Sequence, residues 1–167
     1  MRETPADLER LQDLLDRSYR HPGPHLASVH TPDRRLDARA LSERLQGVCI
    51  LAVATVTADG RPRSRPLDGI FYRGEFWFGS APSSLVMRHL AARPALSAVH
   101  TVGETLAVTV HGRGFVQDLS DDAAAGFKDL CIEIYGAEWA DWGDGAIYAR
   151  IEADRMFTFL LEEPPTR

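Results

Sequence analysis

Three arginines occupy alternate positions of one stretch, Arg61, Arg63 and Arg65. In an extended strand alternate residues share a face, so this spacing predicts a comb of guanidinium groups pointing one way. A guanidinium donates two parallel hydrogen bonds from a planar fork, which suits a phosphate or a carboxylate. The same spacing also fits a solvated strand face whose charges deter edge pairing. Pro62 and Pro66 remove ladder donors and favour an edge or bulged position for this strand.

A second anion-binding feature follows. Gly79-Ser80-Ala81-Pro82-Ser83-Ser84 leads out of an apolar strand into a helical stretch. Backbone N–H groups at a helix start, with the positive end of the dipole behind them, attract an anion. A serine at such a place also serves as a plain cap. Trp139 and Trp142 flank Asp141 and could stack on a planar ring or anchor a subunit interface. His100 and His111, without partner spacing, read as structural histidines, and His89 as a packing or surface residue. Asp68 and Glu75 read equally well as solvated strand residues. The sequence holds no Ser-His-Asp order, no paired carboxylates and no metal-ligand spacing of His and Cys.

The elements that position these residues follow from periodicity. Thr4, Pro5 and Asp7 make a capping-box start, and Leu8, Leu11, Leu15 and Tyr19 then share one helical stripe up to His21-Pro22-Gly23-Pro24. A loop is predicted to about Arg35, then a short helix capped by Asp37, with Leu41 and Leu45 on one face and Gly47 as its stop. From Val48 the period changes to two. Cys49 to Thr57 is apolar on both faces, as in a buried strand. Ala58-Asp59-Gly60 turns into Arg61–Tyr72, and Arg73-Gly74 turns into Glu75–Ser80. A helix from about Pro82 to Arg93 precedes strands Ala95–Val102 and Thr105–Gln117. In the second of these Leu106, Val108, Val110, Gly112 and Val116 face one way. A helix capped by Ser120 buries Phe127, Leu130, Cys131 and Ile134, and a last strand runs from Ala146 through Met156 to Leu161. Six strands with short connections predict a mainly β domain, an antiparallel barrel with peripheral helices over residues 47–162. Residues 1–46 form an N-terminal helical extension that either covers an open barrel edge or embraces a partner subunit, and 163–167 are a tail.

Composition bounds the function. At 167 residues, with 44% hydrophobic and 26% charged residues, the chain is one globular domain and not a disordered one. A formal charge of -5 argues against a general nucleic-acid binder while leaving room for a local basic cluster. The longest apolar run, Cys49 to Val56, is too short to span a bilayer, and the first residues lack the apolar core of a secretory signal. Cys49 and Cys131, far apart in apolar surroundings, are expected to be core residues of a reduced cytoplasmic protein.

From about Val48 to Thr158 the chain resembles the FMN-binding split barrels, the pyridoxamine 5'-phosphate oxidase-like superfamily. The words that carry the resemblance are LAVATVTADGRPRSRPL (Leu51 to Leu67), GEFWFGSAPSSLVMRHLAARPAL (Gly74 to Leu96) and LAVTVHGRGFV (Leu106 to Val116). The stretch AEWADWGDGAIYARIEADRMFTF (Ala137 to Phe159) is similar to the flavin/deazaflavin oxidoreductases of that superfamily.

This resemblance implies a six-stranded antiparallel split barrel that binds FMN, or alternatively the longer-tailed deazaflavin F420, between the subunits of a homodimer. It implies cofactor contacts from Arg63, Arg65, Pro66 and Leu67, with Arg65 at the phosphate. The backbone of Phe78, Gly79 and Ser80 would face the ring, Ser83, Ser84 and Arg88 would add phosphate contacts, and Trp142 joins the set. Two positions depart from the pattern: Val86 stands where a lysine is usual, and Ala107 where the oxidases carry glutamine. One lost charge-assisted contact, about 1.5–3 kcal/mol, weakens phosphate binding roughly ten- to a hundredfold unless replaced. No substrate-binding arginine pattern follows Phe159, so pyridoxamine phosphate oxidation itself is not expected. The implied function is a flavin-dependent oxidoreductase acting on a small organic substrate. The competing reading is a non-catalytic split barrel that holds flavin, haem or another small ligand. Nucleic-acid binding by the arginine comb is the weakest of the three.

Overall fold

The computed structural model describes residues 2–120, 124, 126–139 and 146–161. Helix α1 (Pro5–Ser18) opens with a reciprocal cap. The Thr4 N–H donates to Asp7 Oδ2 at 2.8 Å, and the Asp7 N–H donates to Thr4 Oγ1 at 3.2 Å. The stretch expected to be a loop holds a short helix, α2 (Pro24–Val29), and a 3-10 turn at Pro32–Arg34. Both begin on a proline whose missing N–H costs nothing at a first helical position. None of the α2 residues is buried, so no apolar period marks it in the sequence. Helix α3 (Ala38–Arg44) is capped by Asp37, whose Oδ1 accepts from the Ala40 N–H at 2.8 Å.

Strands β1 (Val48–Val56), β2 (Pro62–Tyr72) and β3 (Glu75–Ser80) follow by tight turns. At the second turn Arg73 and Gly74 take φ of +52° and +83°. Two consecutive left-handed residues are what a two-residue hairpin needs to match strand twist. Helix α4 (Leu85–Ala92), strands β4 (Ala95–Val102) and β5 (Leu106–Gln117), helix α5 (Phe127–Tyr135) and strand β6 (Ile147–Leu160) complete the described chain. All neighbouring strands are antiparallel and close into a barrel in the order β1-β2-β3-β6-β5-β4.

The barrel interior is filled from both ends. Leu51, Val53, Phe78, Val108, Val110 and Met156 form one buried cluster with Leu11 and Leu15 of α1, Leu41 of α3, and Met87 and Leu90 of α4. A second cluster lies outside the barrel wall, where Phe127 and Cys131 of α5 cover Ile70, Trp77 and Tyr148. The N-terminal helices close an open edge. Strand β3 pairs with β6 only over Ile147–Arg150. Further along, the Met156 N–H donates to Ser18 Oγ at 2.9 Å and the Thr158 N–H to the Tyr19 hydroxyl at 2.8 Å. The buried Thr158 hydroxyl in turn accepts the Leu36 N–H at 2.9 Å. An exposed row of ladder groups is thereby satisfied.

Three expectations need correction. β1 is not buried on both faces: its residues alternate, and Val48, Ile50 and Val56 point outward and are exposed, Ile50 by 51%. Val116 is 44% exposed at the end of β5, beyond the reach of the core. Ser120 does not cap α5, which starts behind Gly126 in a left-handed conformation, while Ser120 donates its N–H and hydroxyl to Asp118.

Candidate functional site

β2 and β3 are paired only between Gly69–Tyr72 and Glu75–Phe78. From Pro62 to Asp68, β2 has β1 as its one sheet neighbour, and at Gly79 and Ser80, β3 has only β6. The two strands therefore part, leaving a fork with an open edge on each side. Pro62 and Pro66 lie on such an edge, where a missing donor costs no ladder bond. From Ser80 the chain passes through exposed Ala81, Pro82 and Ser83 to Ser84, the cap of α4, whose Oγ accepts from the Met87 N–H at 3.4 Å. The helix starts at Leu85, three residues later than the sequence suggests, because Ser84 takes the capping role.

Directly opposed residues of antiparallel strands share a face. Arg63 lies opposite Thr55, Arg65 opposite Val53 and Leu67 opposite Leu51, all on the inward-facing side, while Pro66 lies opposite Ala52 on the outward side. Arg63 and Arg65 project past the core and are exposed. The guanidinium groups of Arg65 and Arg88 make no hydrogen bond or ion pair among the described residues, whereas Arg63 acts on Asp59. Arg61 leaves the comb: its guanidinium pairs with Asp59 at 2.8 Å and its N–H donates to Thr57 Oγ1 at 2.9 Å, within the hairpin. The comb thus reduces to two arginines.

On the other side of the fork Phe78 is 0% exposed and can offer only backbone. Gly79 and Ser80 are half-exposed, opposite Tyr148 and Ile147. Arg88 sits one turn into α4, its N–H donating to the Ser84 carbonyl at 3.1 Å. Arg63, Arg65, Pro66 and Leu67 therefore lie on the β2 arm of the fork, and Gly79, Ser80, Ser83 and Ser84 on the β3 arm and the segment that leads from it into α4. Trp142 lies outside the described residues. Trp139 neither stands free for a ring nor offers an interface anchor: it is buried, and its Nε1 donates to the Tyr148 hydroxyl at 2.9 Å.

No protein-family model and no curated protein matches the sequence. Solved structures do match. A conserved hypothetical protein from Mycobacterium tuberculosis superposes with a TM-score of 0.66 at 17% identity, over 83% of this chain and 96% of that one. A flavocytochrome from Azotobacter vinelandii gives 0.64 at 14% identity, over 91% and 77%. A heme storage protein from Vibrio cholerae gives 0.61 at 16% identity, over 80% and 99%. These likenesses show the fold: an antiparallel six-stranded split barrel.

Within this split barrel, the two departures from the family pattern have different settings. Val86 is 2% exposed and belongs to the core, so a helix face that could have carried a basic group is turned inward. Ala107 is half-exposed on β5 opposite Phe159. Among the histidines, His100 Nδ1 lies 3.0 Å from the Ile50 carbonyl and His111 Nδ1 lies 2.7 Å from Ser97 Oγ, structural roles in both cases. Glu75 is half-buried rather than solvated, held by Arg150 Nη1 at 3.0 Å from both oxygens, and burial raises its pKa despite that partner.

Two residues of the split barrel escape a sequence reading. His89 Nδ1 is hydrogen-bonded to the buried Thr55 hydroxyl at 2.8 Å, a partner 34 positions away. Tyr148 packs behind Gly79, and burial pushes its hydroxyl up to about 12, so it stays a neutral hydrogen-bonding group. No signal in the sequence links either pair. Among the described residues no cluster of His, Cys, Asp or Glu could hold a metal, and no helix is long and apolar enough to cross a membrane.

Proposed function

We propose that this chain binds a flavin-type cofactor, FMN or the deazaflavin F420, at the fork and serves as an oxidoreductase for a small organic substrate. The observation that carries the reading is Arg65, an exposed guanidinium with no partner among the described residues. It stands on the open edge of a strand that parts from its neighbour, and that neighbour leads into a capped helix. Arg65 and the amides around Ser83 and Ser84 receive the cofactor phosphate, with Arg88 one turn beyond. Arg63, Pro66 and Leu67, with the backbone of Phe78, Gly79 and Ser80, line the slot for the ring. The bound flavin supplies the hydride chemistry, and the chain's residues bind, orient and exclude water. The similarity to a flavocytochrome supports this reading.

The cofactor site is completed by a second copy of the chain. Val48, Ile50 and Val56 expose an apolar row on the outward face of β1, the strand that carries β2 and the fork. Burying such a row is the usual driving force of subunit association. The buried free thiols Cys49 and Cys131 fit a reducing, cytoplasmic setting.

An absorbance spectrum of freshly purified protein, with mass spectrometry of the released ligand, tests the reading. A flavin or deazaflavin band is expected. Colourless protein whose stability is unchanged by excess FMN and by F420 would overturn it. A second reading, a split barrel that holds its ligand without turnover, is favoured by the buried Val86 and by the similarity to a heme storage protein. Stopped-flow reduction of the bound cofactor by NAD(P)H, or reduction of candidate substrates by reduced F420, separates the two. Rapid turnover removes the second.

A further inference from the structure

α4 ends in two basic side chains, His89 and Arg93, that the fork does not use. The His89 ring is fixed through Nδ1, 2.8 Å from the hydroxyl of buried Thr55. Four residues on, Arg93 ends the helix and donates from Nε to the Val56 carbonyl at 3.1 Å. Residues four apart lie on one helix face, so α4 sends two basic side chains to consecutive residues at the end of β1. Arg63 arrives from the neighbouring strand, directly opposite Thr55 and on the same face, where opposed Cβ atoms lie about 5 Å apart. Three basic side chains, one from the start of β2 and two from the C-terminal half of α4, therefore converge on the end of β1 at Thr55 and Val56.

Little answers this charge from within the chain. His89 Nε2, the terminal nitrogens of Arg93 and the Arg63 guanidinium make no hydrogen bond among the described residues. The carboxylate that feels Arg63 is Asp59, which is held below its ordinary pKa first by the Thr57 hydroxyl and then by Arg61. Asp59 is already paired with Arg61 at 2.8 Å. The negative end of the α4 dipole accounts for a cation at this place. It does not account for a basic cluster whose members are individually anchored and whose remaining donors are open.

We propose that Arg63, His89 and Arg93 form a second anion site, at the C-terminal end of α4, for a phosphate or carboxylate group. It is separate from the phosphate position at the fork. Ser84 and Arg93 stand nine residues apart, about 13 Å along a helix, so one phosphate cannot touch both. Guanidinium groups recognise phosphate and carboxylate through charge-assisted bonds, an imidazole N–H adds a donor, and anchored side chains lose less freedom on binding. The site receives either a free small anion or a second anionic group of the ligand in the fork. It shares Arg63 with the flavin reading and otherwise stands without it.

The test is a titration of the full chain with inorganic phosphate, following the His89 ring signals by NMR, first without flavin and then with excess FMN. A saturable shift at His89 is expected in both. Arg93→Gln should weaken it by about tenfold or more, the worth of one charge-assisted contact, and Arg65→Ala should leave it within about twofold. Arg63→Gln repeats the comparison with a side chain that makes no hydrogen bond in the fold, should Arg93→Gln not fold. A chain that fails to bind FMN loses the flavin reading, and the flavin-free titration still decides this one. Absence of a saturable shift in the wild type overturns the proposal. So does displacement of phosphate from His89 by FMN, or equal weakening by Arg65→Ala, because either makes the cluster part of the fork.

Discussion

The ring of Tyr148 occupies the space that a side chain at position 79 would need: a Cβ built on Gly79 would lie 2.8 Å from Tyr148 Cε1. The two residues are cross-strand partners on β3 and β6, and the Tyr148 hydroxyl accepts the buried Trp139 Nε1–H. One side of the fork is thus backed by a stack of Gly79, Tyr148 and Trp139. Glycine is required there by close approach, since its backbone is not among those with positive φ.

Gly79→Ala is expected to destabilise the fold by about 1–3 kcal/mol, the usual cost of forcing extra volume into a packed site. Thermal melting should fall by several degrees for a chain of this size. Combining it with Tyr148→Leu should cost less than the sum of the single changes, because the obstructing ring atoms are gone. Unchanged melting of Gly79→Ala would show that the ring moves freely and does not brace the fork.

Asp7 gives a pH dependence. Burial acts to raise its pKa, but the Thr4 N–H and hydroxyl and the Arg10 guanidinium outweigh it and hold the carboxyl below its usual value. A lowered folded pKa contributes stability above the unfolded value near 3.8, and that stability is lost as pH falls through the folded pKa. Asp7→Asn should therefore cost about 1 kcal/mol at neutral pH, and the difference from wild type should shrink in acid. Denaturant melts at both pH values check this. A gap that persists in acid would mean that shape, and not charge, makes the cap.

The two thiols should be inert in the folded state. Burial pushes Cys49 up to about 11 and Cys131 up to about 12, and the thiolate is the reactive form. A thiol reagent at mildly alkaline pH is expected to label neither until denaturant is added, when both react. Immediate labelling of native protein would contradict the placement of these side chains.

Ile50→Glu tests the proposed dimer. The side chain is half-exposed in one copy, so a charge there should leave the monomer folded while separating the subunits in light scattering. A wild-type protein that is already monomeric would remove the dimer and with it the completed cofactor site.

The strands were legible because alternation and turn residues are local: Gly60 and the Arg73-Gly74 pair mark the first two hairpins, and the cap formed by Thr4 and Asp7 marks α1. What the sequence could not show depends on register. Where β2 leaves β3 is decided by pairing across the sheet, so the fork between the strand of Arg65 and the strand that leads to Ser84 was visible only as two separate features. Arg61 falls out of the comb because Asp59 captures it inside the turn. The apolar outer face of β1 looked like a second buried face because periodicity does not distinguish a buried face from an exposed apolar one. α2 was hidden by the Pro22-Gly23-Pro24 run, which usually breaks a helix and here begins one at Pro24.

The most direct measurement is a fluorescence titration comparing FMN with riboflavin, which lacks the phosphate. FMN is expected to bind the wild type at least about tenfold more tightly, the worth of one charge-assisted contact. Arg65→Ala should erase most of that difference, and Arg61→Ala, already engaged with Asp59, should leave it. Equal affinity of the wild type for the two ligands, or equal losses from the two variants, would contradict a phosphate held by Arg65 at the fork.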